Sequence, residues 1–155
     1  MTVQPSVLFV CLGNICRSPM AEGAMRVAAR EVGLEIHIDS AGTGAWHVGN
    51  PPDSRAIATA RAKGVDISGL RARQADPDDF ARFTHIFALD SQNLADLRRL
   101  APGGAAAELA LLLDMVPGRE GQAVADPYYG ADDGFEETWR DVSSAAQALI
   151  ARLKV

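Results

Sequence analysis

Cysteine is scarce in this chain: two in 155 residues, Cys11 and Cys16. So low a count excludes a secreted disulfide scaffold, and free thiols point to a reducing compartment, so the chain reads as cytoplasmic. No apolar run approaches the roughly 20 residues that cross a bilayer. No charged start leads into an apolar stretch of the secretory type, so neither membrane insertion nor export is expected. An excess of positive charge is missing too. The net charge is -5, with 8 Lys/Arg against 6 Asp/Glu in residues 1–75 and 7 against 14 in residues 76–155. An acidic chain of this kind is a poor match for nucleic acid or an anionic membrane. With only two cysteines, and with His37, His47 and His85 scattered, there is no zinc spacing. No G-x-x-x-x-G-K-[ST] occurs, which excludes a nucleotide P-loop. Neither a metal nor an organic cofactor is expected.

What is present is a core. Apolar residues make up 48% of the chain, and its length suits one domain. Short apolar runs alternate with helical patterns, which predicts an α/β fold on a mostly parallel sheet. Residues 6–10 do not alternate in polarity and read as a strand buried on both faces. Ser18 and Pro19 predict the N-cap and first position of a helix running to about Val32 and stopped by Gly33. Residues 36–39, 84–89 and 109–113 read as three further strands. Helices are expected over 54–62 and 91–100, with a short turn after the Asp76 cap and Pro77. The segment from Ser40 to Ser54, "SAGTGAWHVGNPPDS", is rich in turn residues and reads as a loop. Phe135, Trp139, Val142, Ala146, Leu149 and Leu153 fall at helical spacing and predict a final helix with one apolar stripe on the sheet. There are no internal repeats and no linker, so residues 1–155 read as a single domain.

Both cysteines lie in "VLFVCLGNICRSP", where the first strand ends and the first helix begins. In an open α/β sheet the ligand sits there, at the carboxyl ends of strands. The unpaired N–H groups and partial positive charge of a helix start attract a phosphate-like anion. Gly13 and Asn14 are residue types that tolerate positive φ, allowing the loop to curl around such an anion. Arg17 can add a guanidinium fork. Cys11, held over these donors, is placed where a thiolate is stabilised and can act as a nucleophile. The residues alone therefore suggest phosphoryl transfer to sulfur. The plain alternative for Cys11 is a small buried hydrophobe that ends a strand.

The stretch "VCLGNICRSP" resembles the C-x-G-N-x-C-R-S signature of the low-molecular-weight protein tyrosine phosphatases. The likeness continues in order through "DSAGT", "WHVG", "RARQ", "ALDSQNL" and "DPYYG". It implies a flavodoxin-like domain, a four-stranded parallel sheet with helices on both faces, acting on tyrosine-phosphorylated proteins or peptides without a metal. By this similarity Cys11 takes the phosphoryl group. Leu12, Gly13, Asn14, Ile15 and Cys16 form the anion-binding loop, and Arg17 holds the transferred oxygens. Ser18 hydrogen-bonds the sulfur, and Ser40 ties to Asn14. Asp126 matches the aspartate of the family's D-P motif and becomes the general acid and base; without that motif Asp114, Asp132 and Asp133 would stand level with it. Trp46, Tyr128 and Tyr129 become the walls of the cleft, favouring a phosphorylated aryl ring over the shorter phosphoserine. Cys16 matches a cysteine that traps the oxidised nucleophile as a disulfide. Where many members carry a histidine behind the loop, this chain has Leu70, which implies a thinner supporting network.

Two other readings compete with this one. A thioredoxin-coupled arsenate reductase resembles this fold and loop, but its chemistry needs cysteines further downstream, and none follows Cys16. A phosphate- or phosphotyrosine-binding module that kept the loop without turnover is the alternative from a different class.

Overall fold

Ser6–Cys11 forms β1, and all of its residues are buried. Strands flank it on both sides and helices cover both of its faces, which is why its sequence is apolar without alternation. A computed structural model describes residues 4–128, 130 and 133–153 of the chain. β2 (His37–Gly42) and β3 (His85–Ala88) pair with β1 in parallel, and β4 (Glu108–Leu111) pairs in parallel with β3. The resulting order is β2-β1-β3-β4, that of a flavodoxin-like sheet.

Successive residues of β1 point to opposite faces. Val7, Phe9 and Cys11 join a core layer with α1 (Arg17–Glu31), α2 (Ser54–Ala62) and α5 (Asp133–Leu153). Leu8 and Val10 join the other layer, with Phe80 of α3 (Asp79–Arg82) and Leu94 and Leu97 of α4 (Ser91–Leu100). The stripe expected on α5 is there: Phe135, Trp139, Val142, Ala146 and Leu149 are all buried in the first layer. The strand order reverses at β1, so a crevice opens beyond the carboxyl ends of β1 and β3, where the chain passes to α1 on one face and to α4 on the other. Cys11 ends β1 at that crevice.

Several boundaries differ from expectation for identifiable reasons. α1 starts at Arg17, with Cys16 rather than Ser18 at the N-cap and no side-chain cap. The Ser18 hydroxyl is drawn instead to Cys11 and Asn14. β2 extends to Gly42 because residues 37–42 pair with the whole of β1, so "SAG" is strand and not loop. β4 stops at Leu111, and Leu112–Met115 winds into a 3₁₀ turn. Asp76 accepts from the Asp78 N–H, and the short helix follows at Asp79.

Candidate active site

A cavity of about 330 Å³ sits at the crevice, lined by Cys11, Leu12, Gly13, Ile15, Cys16 and Arg17 below and Trp46, His47, Asp126 and Tyr128 around its mouth. The sequence between Cys11 and Arg17 folds this way because Asn14 takes a left-handed conformation, φ 57°, the only described non-glycine residue to do so. Asparagine tolerates that region better than other residues with a Cβ. Gly13, expected to share the role, has no positive φ. Its value is its size, since a Cβ there would come within 3.0 Å of the His47 ring. Gly42, at the end of β2, is under a tighter limit: a Cβ there would sit 2.7 Å from the Leu12 carbonyl oxygen and 3.2 Å from Asn14 N. The Thr43 and Gly44 N–H groups donate to the Cys11 and Leu12 carbonyls, each at 2.9 Å, and hold the two segments together.

The Cys11 sulfur is buried and faces hydrogen-bond donors. The Asn14 N–H donates to Sγ at 3.3 Å, and the Ser18 hydroxyl lies 3.0 Å away. Asn14 Nδ2 donates to Ser18 Oγ at 2.7 Å and to Ser40 Oγ at 3.0 Å, while its Oδ1 accepts from the Arg73 N–H at 3.0 Å. Ser40 Oγ in turn donates to Glu22 Oε1 at 2.7 Å. The network expected to be thin at Leu70, an apolar side chain packed on the core, is closed by Glu22. Sequence reasoning missed this residue, because a glutamate one turn into a helix looks like a solvated charge.

Arg17 is 3% exposed. Its Nη1 donates to Asp90 Oδ2 at 2.7 Å and to the Val124 carbonyl at 3.0 Å, and its Nη2 lies 3.6 Å from Asp126 Oδ2. Asp126 is thus brought over the loop from a segment more than a hundred residues away in sequence, and its Oδ1 accepts from the Tyr128 N–H at 3.1 Å. Tyr128 is braced by Arg55, which donates to its carbonyl at 3.0 Å and lies 5.6 Å from the centre of its ring. Asp53 caps α2 and pairs with Arg55 at 3.0 Å; that hydrogen bond, above all, holds its carboxyl below the usual carboxylate range. Trp46 is 72% exposed and stands as a flap at the mouth. Tyr129 lies outside the described residues.

Cys16 is buried beside the loop and, like Cys11, is a free thiol. Burial, followed by the nearby Asp53 carboxylate, pushes its thiol far above the ordinary range. Asp90, Glu22, Arg55 and His47 are the site residues that sequence reasoning did not find. His47, which has no metal-ligand spacing in the sequence, lines the cavity. Among the described residues, no cluster of His, Cys, Asp and Glu is placed to hold a metal ion.

Comparison with known proteins agrees with this geometry. The family model described as low molecular weight phosphotyrosine protein phosphatase matches residues 6–155. The low molecular weight phosphotyrosine protein phosphatase of Schizosaccharomyces pombe is 46% identical, with 97% of each chain covered. The crystal structure of YfkJ from Bacillus subtilis superposes with a TM-score of 0.91 at 41% identity, covering 99% of this chain and 96% of that one. A protein tyrosine phosphatase from Entamoeba histolytica, solved with Hepes in its active site, gives a TM-score of 0.91 at 34% identity and covers 97% of both chains.

Proposed function

The chain belongs to the low molecular weight phosphotyrosine protein phosphatases, and on that premise we propose that it hydrolyses phosphotyrosine and other aryl phosphate monoesters through a phosphoryl group carried on Cys11. The observation that carries the proposal is the convergence of a buried cysteine sulfur, a buried arginine and a half-exposed aspartate on one cavity. Residues 1–155 act as one catalytic domain.

In the first step the Cys11 thiolate attacks phosphorus and the bond from phosphorus to the tyrosyl oxygen breaks. Asp126 gives its proton to that oxygen, so tyrosine leaves neutral. In the second step the Asp126 carboxylate takes a proton from water, the water oxygen attacks phosphorus, and the bond to sulfur breaks, releasing phosphate. Sulfur leaves as a thiolate stabilised by the Ser18 hydroxyl and the Asn14 N–H. Arg17 and the N–H groups at the start of α1 stabilise the charge that spreads over the phosphoryl oxygens in the transition state.

Trp46 and Tyr128 give the aryl ring its walls, and a cavity entered between them suits a ring better than a short serine side chain. The partner is therefore a tyrosine-phosphorylated protein or peptide. Cys11 must be reduced for turnover, which fits a reducing cytoplasm; among the described residues no helix is long and apolar enough to cross a membrane. If peroxide oxidises Cys11 to the sulfenic acid, the Cys16 sulfur displaces hydroxide, forming a disulfide with loss of water.

The test is phosphate release from a phosphotyrosine peptide and a matched phosphoserine peptide, without added metal, by the wild type and Cys11→Ser. Turnover of the phosphotyrosine peptide alone, lost in Cys11→Ser, is expected. A reduced, folded wild type that binds phosphate but turns over neither peptide would make the chain a binding module.

A further inference from the structure

The hydrogen-bond chain behind the loop has a direction that can be read from its members. Asn14 Oδ1 accepts from the Arg73 N–H, so the amide nitrogen faces Ser18 and Ser40 and donates to both. A hydroxyl has one proton to give. Ser40 therefore accepts from Asn14 and spends its proton on Glu22 Oε1. Ser18 likewise accepts from Asn14, which leaves its proton for the Cys11 sulfur 3.0 Å away. The alternative acceptor, the Ala41 carbonyl, is further off at 3.4 Å.

The outer end of this chain rests on Glu22, whose side chain is 2% exposed. Its second oxygen, Oε2, accepts from Arg26 Nε at 3.0 Å and Nη2 at 2.7 Å. Arg26 Nη2 also donates to the Ile38 carbonyl of β2 at 2.7 Å, so the guanidinium is tied to the sheet as well as to its own helix. Its side chain is nevertheless 49% exposed, on the outer side of α1. A buried carboxylate that loses its cation is left undersatisfied and must move or change its bonds.

We propose that Arg26 is a positioning residue for the reaction: by fixing the Glu22 carboxylate it sets the Ser40–Asn14–Ser18 chain and hence the donor presented to the Cys11 sulfur. The inference rests on the proposed function, since it assigns Arg26 a part in that chemistry. A guanidinium that only paired with Glu22 across one turn of helix would affect stability and nothing at the loop. The geometry gives it more to do. Every bond from Arg26 to Cys11 is between buried groups except the first.

The experiment uses the full chain and reads the Cys11 sulfur without turnover, as the rate of alkylation by iodoacetate at fixed pH, alongside kcat and KM for p-nitrophenyl phosphate. Arg26→Ala is expected to slow alkylation by about threefold and lower kcat by about tenfold, with KM changed much less. Arg26→Lys, which keeps the charge but not the forked contact, should lie between wild type and Arg26→Ala, and decides the matter if Arg26→Ala does not fold. In a Ser40→Ala background Arg26→Ala should have no further effect on alkylation, because the chain is already cut. Unchanged alkylation in Arg26→Ala overturns the proposal whatever the Tm does, and so does full additivity with Ser40→Ala. A wild type inert toward every phosphate ester would sink the proposed function instead, and the alkylation rates would still report on Arg26.

Discussion

Asp90 holds Arg17 with one carboxylate oxygen and the N-terminus of α4 with the other. Oδ2 accepts from Arg17 Nη1 at 2.7 Å, and Oδ1 accepts from the Asn93 N–H at 2.7 Å. The residue that starts a helix on one face of the sheet thereby aims the guanidinium of a loop that starts a helix on the other. Two substitutions separate these duties. Asp90→Ala removes the cap, costing about 0.5–2 kcal/mol, and leaves Arg17 short of its anionic partner. Asp90→Asn keeps a good capping group but offers no charge. Thermal melts should show Asp90→Ala lowered by about 2–4 °C per kcal/mol lost and Asp90→Asn near wild type. Both should lose kcat/KM by about tenfold or more. An Asp90→Asn enzyme with wild-type kcat/KM would mean Arg17 needs no such partner.

Asp126 is expected to matter in proportion to how badly the leaving group needs a proton. Asp126→Ala should lower kcat/KM on phenyl phosphate by about 10²–10⁴. The loss on p-nitrophenyl phosphate should be smaller, since nitrophenolate departs without help. Equal losses on the two esters would point to a structural role for Asp126 in holding Tyr128.

Asn14 combines a backbone duty with a side-chain duty, and two variants tell them apart. Asn14→Gly keeps the φ of 57° at no steric cost but loses the bonds to Ser18 and Ser40. Asn14→Ala loses both advantages and should be less stable than Asn14→Gly by about 1–2 kcal/mol in urea titration. The two should lose kcat together. If Asn14→Gly retained full kcat, the loop would depend on its backbone alone.

The two cysteines should respond differently to alkylation and to pH. At neutral pH iodoacetate should label one site per chain, Cys11, whose sulfur faces the Asn14 N–H and the Ser18 hydroxyl, because the Cys16 thiol is held protonated. A folded-state value raised above the ordinary 9.0 favours the protonated thiol. Its contribution to stability is therefore fully present below pH 9.0 and is lost as pH rises through the folded value. Cys16→Ser should flatten the alkaline limb of a stability-versus-pH curve. An unaltered limb, or equal labelling of both thiols, would contradict this picture.

Local chemistry accounts for what was legible in the sequence. An unbroken apolar run at residues 6–10 and the residues from Cys11 to Arg17 were enough to locate the loop, because strand burial and helix-start chemistry act over a few residues. The limits of α2 and α4 and the apolar stripe of α5 were visible for the same reason. What escaped depends on distant pairing. β2 runs on to Gly42 only because β1 lies beside it. Ser18 looks like an N-cap until Cys11 and Asn14 compete for its hydroxyl. Asp90 could be read as the cap it is, but its second oxygen reaches Arg17 across 73 residues of sequence. Glu22 becomes a buried network residue only once Ser40 is packed against α1. Asp126 was found through the resemblance of "DPYYG" to a family motif, and nothing in its immediate sequence distinguishes it from other loop aspartates.

The central claim is that phosphorus passes through the sulfur of Cys11. The most direct test is to mix the Asp126→Ala enzyme with p-nitrophenyl phosphate, quench in acid within a turnover, and locate the bound phosphoryl group by peptide mass spectrometry. The account predicts one phosphoryl group on the peptide carrying Cys11, absent when Cys11 is serine. Turnover by an enzyme that never carries phosphorus on that peptide, or turnover surviving in Cys11→Ser, would contradict it.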